Sequence, residues 1–103
     1  MKRMILSLFL GMSFCSFAFS QSLQVAWDKT TVLIFDSPIQ SVDRGSRYLL
    51  SEQDDFALNV LKLKAGNKEL PNTNLHVLTQ DGEIHSFEVS FSEDPKLTTL
   101  DFR

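Results

Sequence analysis

The sequence is short of the residues on which several kinds of function depend. Its single cysteine, Cys15, leaves no pair for an internal disulfide, and its 103 residues include only four glycines and three prolines. Lipidation at Cys15 is disfavoured because the bulky Phe14, not a small residue, precedes it. No glycine-rich phosphate loop, H-E-x-x-H helix, EF-hand loop or serine nucleophile elbow occurs. We therefore predict that the chain is not an enzyme, with no cofactor and no catalytic, cofactor-binding or metal-binding residues.

The N-terminus also lacks a hydrophobic run long enough to cross a membrane. Two basic residues precede an uncharged run, Met4–Phe19, that is shorter than the roughly 20 apolar residues of a transmembrane helix. Ala18 and Ser20 then stand three and one positions before Gln21, as the small residues of a signal-peptidase site do. These features predict a helical signal peptide over residues 1–20 and export of the rest of the chain.

Positive charge is scarce once this leader is removed. The ten Lys and Arg residues include Lys2 and Arg3, so eight of them face thirteen Asp and Glu in residues 21–103, a net charge of −5. A negative domain repels phosphate backbones and anionic lipid headgroups, which argues against direct contact with nucleic acid. A domain of this size buries only about 60% of its unfolded surface, so we expect neighbouring subunits to contribute to its stability.

Residues 21–103 contain short apolar runs separated by turn residues, which is typical of an all-β domain. Leu23, Val25 and Trp27 alternate with Gln24 and Ala26 and predict a half-buried strand with Trp27 in the core. We predict one domain over residues 21–103.

A sharp break interrupts residues 30–45. Thr30–Phe35 is rich in β-branched and aromatic residues and predicts a strand covered on both faces. Residues 36–38, Asp-Ser-Pro, have turn chemistry, and proline removes a ladder donor, so the strand has to end or bend. Ile39–Val42 predicts a second short strand. Either two strands meet at a corner or a bulge breaks one strand, as happens where a chain changes sheets in a sandwich.

Residues 48–56 have an ambiguous pattern. Ser51 and Asp54 have the spacing of a capping box. However, the acidic cluster Glu52, Asp54 and Asp55 interrupts any apolar stripe. We predict a loop here, with at most one helical turn.

The hairpin around the Asp81-Gly82 turn signal is the clearest local structure. A two-residue loop would mix apolar and polar residues on both faces of the paired strands. A three-residue loop over 80–82, with Gly82 left-handed, sets Leu75 opposite Phe87 and collects the apolar side chains on one face. Because a one-residue slip moves every side chain to the other face, we predict the three-residue loop.

The fold predicted from these runs is an antiparallel β-sandwich of about seven short strands. Asn59–Ala65 contributes a strand whose alternate apolar residues face the core. We predict a core formed by ten side chains: Val25, Leu33, Phe35, Ile39, Leu61, Leu63, Leu75, Val77, Phe87 and Val89.

Two histidines have the chemistry of a metal or acid–base site. His76 and His85 lie on adjacent predicted strands, with Asp81 at the turn between them. The chosen register places the two rings on opposite faces of the sheet, so they cannot share one ion, whose ligands would lie about 2 Å from it. We predict that both histidines are structural.

Two further groups of side chains could bind a ligand or partner. The rings of Trp27 and Tyr48 could stack on a carbohydrate, although core filling is the commoner role of an isolated tryptophan. Glu52, Asp54 and Asp55 could bind calcium or a basic partner. We favour a solvated loop, because calcium loops need ligands at defined alternate positions.

Five segments between Leu23 and Pro95 occur in a distinctive order. They are KTTVLIF, VDRGS, NVLKLKA, TNLHVLTQDGEIHSFEV and EDP. Together they resemble the N-terminal domain of the TraN proteins of Bacteroidetes conjugative transposons, which are distinct from the F-plasmid protein of that name. More distantly the set is similar to the N-terminal β-sandwich of TrbG/CagX-like subunits of type IV secretion outer-membrane core complexes.

The resemblance implies a structural periplasmic subunit of a conjugative-transfer apparatus, associated with its outer-membrane complex. Its partners would be other proteins of the apparatus and further copies of itself, with no nucleic acid and no small-molecule substrate. TraN-like proteins continue into a second β-domain, so a chain that ends at Arg103 is expected to be a truncated or split product. At the position of Asp36 many family members carry a residue that favours a tighter Phe-Pro corner, whereas in this sequence the proline, Pro38, comes two positions later. The alternative is a small exported ligand-binding or adhesin-type β-sandwich module.

Assembly of such a subunit is expected to use the backbone at open sheet edges. On that hypothesis, a proline at an outward N–H within Thr31–Phe35 or Ile84–Phe91 would block assembly and leave the monomer folded.

Overall fold

The computed structural model describes residues 20–103, in which β-strands joined by turns and loops are the only regular secondary structure. The predicted signal helix therefore lies outside the described residues, apart from Ser20. Within residues 20–103 no helix is long and apolar enough to span a membrane. The all-β prediction is confirmed. The eight strands are β1 (Ser20–Val25), β2 (Thr31–Ile34), β3 (Ile39–Arg44), β4 (Leu49–Gln53), β5 (Val60–Ala65), β6 (Thr73–Thr79), β7 (Ile84–Phe91) and β8 (Thr99–Asp101).

The strands form two four-stranded sheets, with the orders β1-β7-β6-β3 and β4-β5-β2-β8. Both sheets are mixed, because β1 runs parallel to β7 and β2 runs parallel to β8, while the other neighbours are antiparallel. The prediction of purely antiparallel sheets was therefore wrong. It failed because the parallel pairs join segments that lie far apart in the sequence, where no turn signal can indicate the direction of pairing.

The strand order also corrects the expectation about sheet edges. β2 lies between β5 and β8, and β7 lies between β1 and β6. Their backbone N–H groups therefore face strands on both sides, and a proline in either strand would break a ladder. The four edge strands are β1, β3, β4 and β8.

The break at residues 36–38 is a corner between the two sheets. β2 ends at Ile34 in one sheet and β3 begins at Ile39 in the other. The N–H of Ile39 donates to the carbonyl of Leu58 at 2.8 Å, and that of Gln80 donates to the carbonyl of Pro38 at 2.8 Å. Of the two alternatives, the corner is correct. A shift in register between Ile39 and Ser41 adds an irregularity at the start of β3.

β4 occupies part of the segment predicted as a loop, and that prediction was wrong. Leu49–Gln53 pairs with β5 in an antiparallel register. Only Leu49 is fully buried in β4, and the rest of the strand alternates weakly because it lies at an edge of its sheet. An edge strand with a single buried residue carries too little apolar pattern to be distinguished from a loop.

The hairpin of β6 and β7 has the predicted three-residue loop. Leu75 lies opposite Phe87, and the N–H of Thr79 donates to the carbonyl of Glu83 at 3.0 Å. Gly82 has a φ of 88°, which is the left-handed conformation expected of it. The hydrophobic pattern alone was sufficient here, because only one register buries one face consistently.

One hydrophobic cluster contains buried side chains from both sheets. All ten predicted core residues are buried, and five further apolar side chains join them: Leu23, Ala26, Leu49, Ala65 and Leu70. Phe35 provides an aromatic contact between the sheets, because its ring stacks on Phe102 with centroids 5.5 Å apart and meets Phe87 edge-on at 6.4 Å. Trp27 does not lie in the core. Its side chain is 45% exposed, because β1 ends at Val25.

Candidate interaction surface

The loop that follows β4, residues 54–59, has a backbone conformation fixed by the Asp54 side chain. Its carboxylate accepts hydrogen bonds from the N–H groups of Phe56, at 3.0 Å, and Ala57, at 2.8 Å. It also forms an ion pair with Lys62 at 3.1 Å. The Ala57 N–H, the Lys62 ammonium and the Phe56 N–H together lower the pKa of Asp54 to about 2. An aspartate that bonds the backbone two residues ahead is a common way of stabilising a turn.

Further hydrogen bonds attach this loop, hereafter the Phe56 loop, to both sheets. The N–H of Val60 donates to the carbonyl of Ala57 at 3.0 Å. The carbonyl of Leu58 accepts from the Ile39 N–H and from the Gln53 side chain at 3.0 Å. These contacts hold the loop between the start of β3 and the end of β4.

This fixed loop exposes large apolar side chains. Phe56 is 96% exposed and Leu58 is 51% exposed. A phenylalanine leaves water favourably, so a nearly bare ring costs free energy unless another surface covers it. Exposed apolar side chains that cluster beside polar ones are typical of protein-binding sites.

The edge of β4 next to this loop is partly open. The Gly66 N–H donates to the Tyr48 carbonyl at 2.6 Å and the Asp54 N–H donates to the Val60 carbonyl at 3.1 Å. Because antiparallel strands alternate the direction of their peptide groups, those of Leu50 and Glu52 face β5 and those at positions 49, 51 and 53 face outward.

The first outward position of β4 is already closed. The N–H of Leu49 donates to the Ser46 carbonyl at 3.2 Å, and the Arg44 guanidinium donates to the Leu49 carbonyl at 2.8 Å. The described residues provide no such partner for the outward backbone groups of Ser51 and Gln53. The open edge is therefore short and lies immediately before the Phe56 loop.

The acidic cluster has two roles in this part of the protein. Asp54 is engaged in the turn and with Lys62, whereas the exposed Glu52 and Asp55 flank it. Within residues 20–103 no three His, Cys, Asp or Glu side chains converge so as to hold a metal ion. The carboxylates of Glu52 and Asp55 are exposed, and both act electrostatically on Lys62.

The two histidines lie on opposite faces of their sheet, as the register predicts. The Nδ1 of His76 is 3.0 Å from the Ser86 hydroxyl. The ring of His85 packs on the core face, with its centroid 4.7 Å from that of Phe35. Asp81 at the turn accepts a hydrogen bond from the Thr79 hydroxyl at 2.5 Å, which lowers its pKa. These three residues therefore do not form one site.

The rings of Trp27 and Tyr48 are exposed at the opposite end of the strands from the Phe56 loop. The Lys68 ammonium lies 4.9 Å from the centroid of the Trp27 ring, and the Arg47 guanidinium lies 5.2 Å from that of Tyr48. Both geometries are cation–π contacts. The sequence indicated these rings as candidates, but it did not indicate the cations that cover them.

A broad groove of about 770 Å³ crosses the outer face of the β1-β7-β6-β3 sheet. Hydroxyl, amide and carboxylate groups line it, among them those of Ser22, Asn74, Glu88 and Ser90. Neither Trp27 nor Tyr48 contributes to the groove, so it offers hydrogen-bonding groups without a stacking ring.

These features define an all-β domain with an exposed apolar loop. The chain belongs to the family described as a domain of unknown function, DUF8473, whose sequence model matches residues 23–95. The match begins in β1 and ends before β8, so it includes the Phe56 loop and the β4 edge. No curated protein is matched by the chain.

Proposed function

We propose that this protein is an exported structural subunit of a conjugative-transfer, type IV secretion-like complex of the envelope, and that it binds other proteins through β4 and the Phe56 loop. In this proposal its two sheets are the layers of a β-sandwich. The observation that carries the proposal is the nearly complete exposure of Phe56 on a loop held by hydrogen bonds next to an open strand edge.

The hydrogen bonds that hold the loop support a binding role. Ordering a flexible side chain or loop on binding costs free energy, so a surface fixed in advance retains more of its contact energy. The Asp54 carboxylate provides this order without a partner, because both of its backbone bonds lie within the loop. An aromatic ring at the centre of such a surface is the kind of residue that dominates binding energies.

The cellular setting of the proposal depends on the sequence. The leader-like residues 1–20 support export, and the ordered segments that resemble TraN support a place in a transfer apparatus of the periplasm and outer membrane. The outward backbone groups of Ser51 and Gln53 would let a partner strand add to the sheet, with Phe56 and Leu58 contributing side-chain contacts.

A pair of proline variants tests the binding surface. Ser51→Pro removes an outward N–H and is expected to leave the domain folded while it abolishes crosslinking to envelope proteins in the native host. Glu52→Pro is the matched control, because its N–H faces β5 and its loss is expected to destabilise the sheet. Crosslinking that persists at wild-type levels in folded Ser51→Pro and Phe56→Ala proteins would refute the assignment of this surface.

The groove favours a second candidate, an exported ligand-binding module. Its hydroxyl, amide and carboxylate groups are suited to sugar hydroxyls, although it lacks the aromatic ring that often stacks on a sugar. Calorimetric titration with a panel of oligosaccharides tests this function. Binding that is lost in Glu88→Ala and retained in Phe56→Ala would support the module and argue against the assembly subunit.

A further inference from the structure

The domain has two ends that differ in composition, and hydrogen bonds between loops define them. At one end, the Phe56 end, the Ile39 N–H meets the Leu58 carbonyl and the Gln80 N–H meets the Pro38 carbonyl. The β6–β7 hairpin loop therefore lies at the same end as the Phe56 loop.

The opposite end, the Trp27 end, is defined in the same way. The Ala65 N–H donates to the Ala26 carbonyl at 2.8 Å, and the next residue, Gly66, donates to the Tyr48 carbonyl. The segments that carry Trp27 and Tyr48 are thus joined through two consecutive residues. Trp27 and Tyr48 therefore lie in neighbouring loops at the same end of the domain.

Charge is separated between these two ends. Seven carboxylates face two cationic residues, Lys62 and Arg103, at the Phe56 end, a net charge of −5; the seven are Asp36, Glu52, Asp54, Asp55, Asp81, Glu83 and Asp101. Six cationic residues lie in the loops of the Trp27 end and the strand halves next to it, and six carboxylates balance them, so this half of the domain carries no net charge; the cations are Lys29, Arg44, Arg47, Lys64, Lys68 and Lys96, and the carboxylates are Asp28, Asp43, Glu69, Glu88, Glu93 and Asp94.

The apolar side chains complement each other in the same sense. The Phe56 end projects one bare phenyl ring bordered by carboxylates. The Trp27 end presents two aromatic faces, each next to a cation. A phenyl ring can pack against the exposed part of Trp27 or Tyr48, and carboxylates that approach beside it would meet Lys68 and Arg47.

We propose that copies of this chain associate head to tail, with the Phe56 loop of one copy seated against Trp27 and Tyr48 of the next. The contact joins two different surfaces of the same protein, so each copy keeps a donor and an acceptor end. Such a contact continues into a ring or a filament according to the rotation between copies. This inference rests on the proposed function and names a second copy as the partner of its Phe56 loop.

Sedimentation velocity of the full chain, purified without denaturant, tests the association directly. The weight-average sedimentation coefficient is expected to rise with concentration up to about 1 mM and to fall when salt is raised from about 0.05 to 0.5 M, since opposite charges are screened. Phe56→Ala is expected to weaken association by about tenfold or more. Leu97→Ala, an equally simple loss of an exposed apolar side chain, which lines a groove with Leu23 and Leu100 and not with Trp27 or Tyr48, is its control and should have no such effect.

Charge reversal provides the sharper experiment. Asp55→Lys places a lysine opposite Lys68 of the next copy, and Lys68→Glu places a glutamate opposite Asp55, so each variant alone is expected to stay monomeric. An equimolar mixture restores opposite charges at every contact of an alternating chain and is expected to associate again. Asp43→Lys, an exposed change on the edge strand β3, serves as the control and should associate as the wild type does.

The outcomes separate this inference from the proposed function. A wild-type chain that remains monomeric throughout, or two reversed variants whose mixture stays monomeric, overturns the head-to-tail contact. If that chain still crosslinks to other envelope proteins through Phe56, the proposed function stands without self-association. Conversely, self-association of the wild-type chain and of the mixed variants, without crosslinking to any other protein in the host, would support the head-to-tail contact and refute a place in the transfer apparatus.

Discussion

At Gly82 the backbone conformation, and not a steric clash with neighbouring atoms, determines the cost of a substitution. Its φ of 88° is unfavourable for side chains, and a β-carbon added there would meet no heavy atom within 4 Å. We expect Gly82→Ala to lower the free energy of unfolding by about 1 kcal/mol, and Gly82→Asn to lower it by less, because asparagine tolerates left-handed backbone better than alanine does. Urea denaturation measures both. A larger loss for asparagine than for alanine would contradict this explanation.

Asp54 makes the stability of the Phe56 loop depend on pH. Its pKa is lowered from 3.8 to about 2 by the Ala57 N–H, Lys62 and the Phe56 N–H. The unfolded chain therefore takes up a proton first, so this carboxylate stabilises the fold above about pH 4 and loses its contribution as pH falls towards 2. Asp54→Ala is expected to be less stable than wild type at pH 7, with the difference shrinking towards pH 2. Denaturation across this range, with Asp55→Ala as control, measures it; a constant difference would contradict the assignment.

Residue-scale predictions from the sequence succeeded where alternation decides burial. Eight of the ten predicted core residues are buried at alternate positions of their strands, and the other two, Phe35 and Ile39, are buried on either side of the corner between the sheets. Trp27 was misplaced because β1 ends two residues earlier, and alternation says nothing beyond a strand's end. Phe56 was not singled out from the sequence, because its exposure depends on the Asp54 turn, which requires the pairing of β4 with β5.

At the scale of elements, β8 is expected to contribute more than its length suggests. It pairs with β2 over three residues, and the next residue, Phe102, lies with its ring centroid 5.5 Å from those of Phe35 and Phe87. We expect Phe102→Ala to cost about 1–3 kcal/mol, less than the loss of a fully buried phenylalanine because the ring is partly exposed. Thermal unfolding measures this cost. Arg103→Ala, the surface neighbour, should change stability by no more than about 0.5 kcal/mol.

Elements differ in how far a sequence can predict them. The β6–β7 hairpin was predictable to the residue, because its strands are adjacent and a turn signal joins them. β8 was missed, since Thr99–Asp101 contains one apolar residue and is paired only with β2, more than sixty positions away. β8 and Phe102 lie outside residues 23–95, the segment that the family model matches. The stability of Phe102→Ala therefore also tests whether the shared part of the domain depends on β8 in order to fold.

At the scale of the whole molecule, the sequence predicted the total charge but not its distribution. A net charge of −5 over residues 21–103 suggests uniform repulsion between copies. The fold instead places the whole net charge of −5 at the Phe56 end and leaves the Trp27 half without net charge, because the loops that share an end come from distant parts of the chain. The proposed contact between copies therefore depends on which loops the fold brings together, whereas the net charge of the sequence alone would predict repulsion between copies.

Export is the remaining whole-molecule prediction, and the start of β1 makes it specific. β1 begins at Ser20, which pairs with Ser86, so cleavage between Ser20 and Gln21 removes only the first position of the strand. Intact mass of the protein recovered from the periplasm is expected to correspond to a chain beginning at Gln21. Ala18→Phe places a bulky residue three positions before the cleavage site and is expected to retain the leader, whereas Phe19→Leu at the intervening position should be processed normally. Recovery of the wild-type chain from the cytosol with residues 1–20 attached would contradict export, and the envelope assembly proposed above would lose its setting with it.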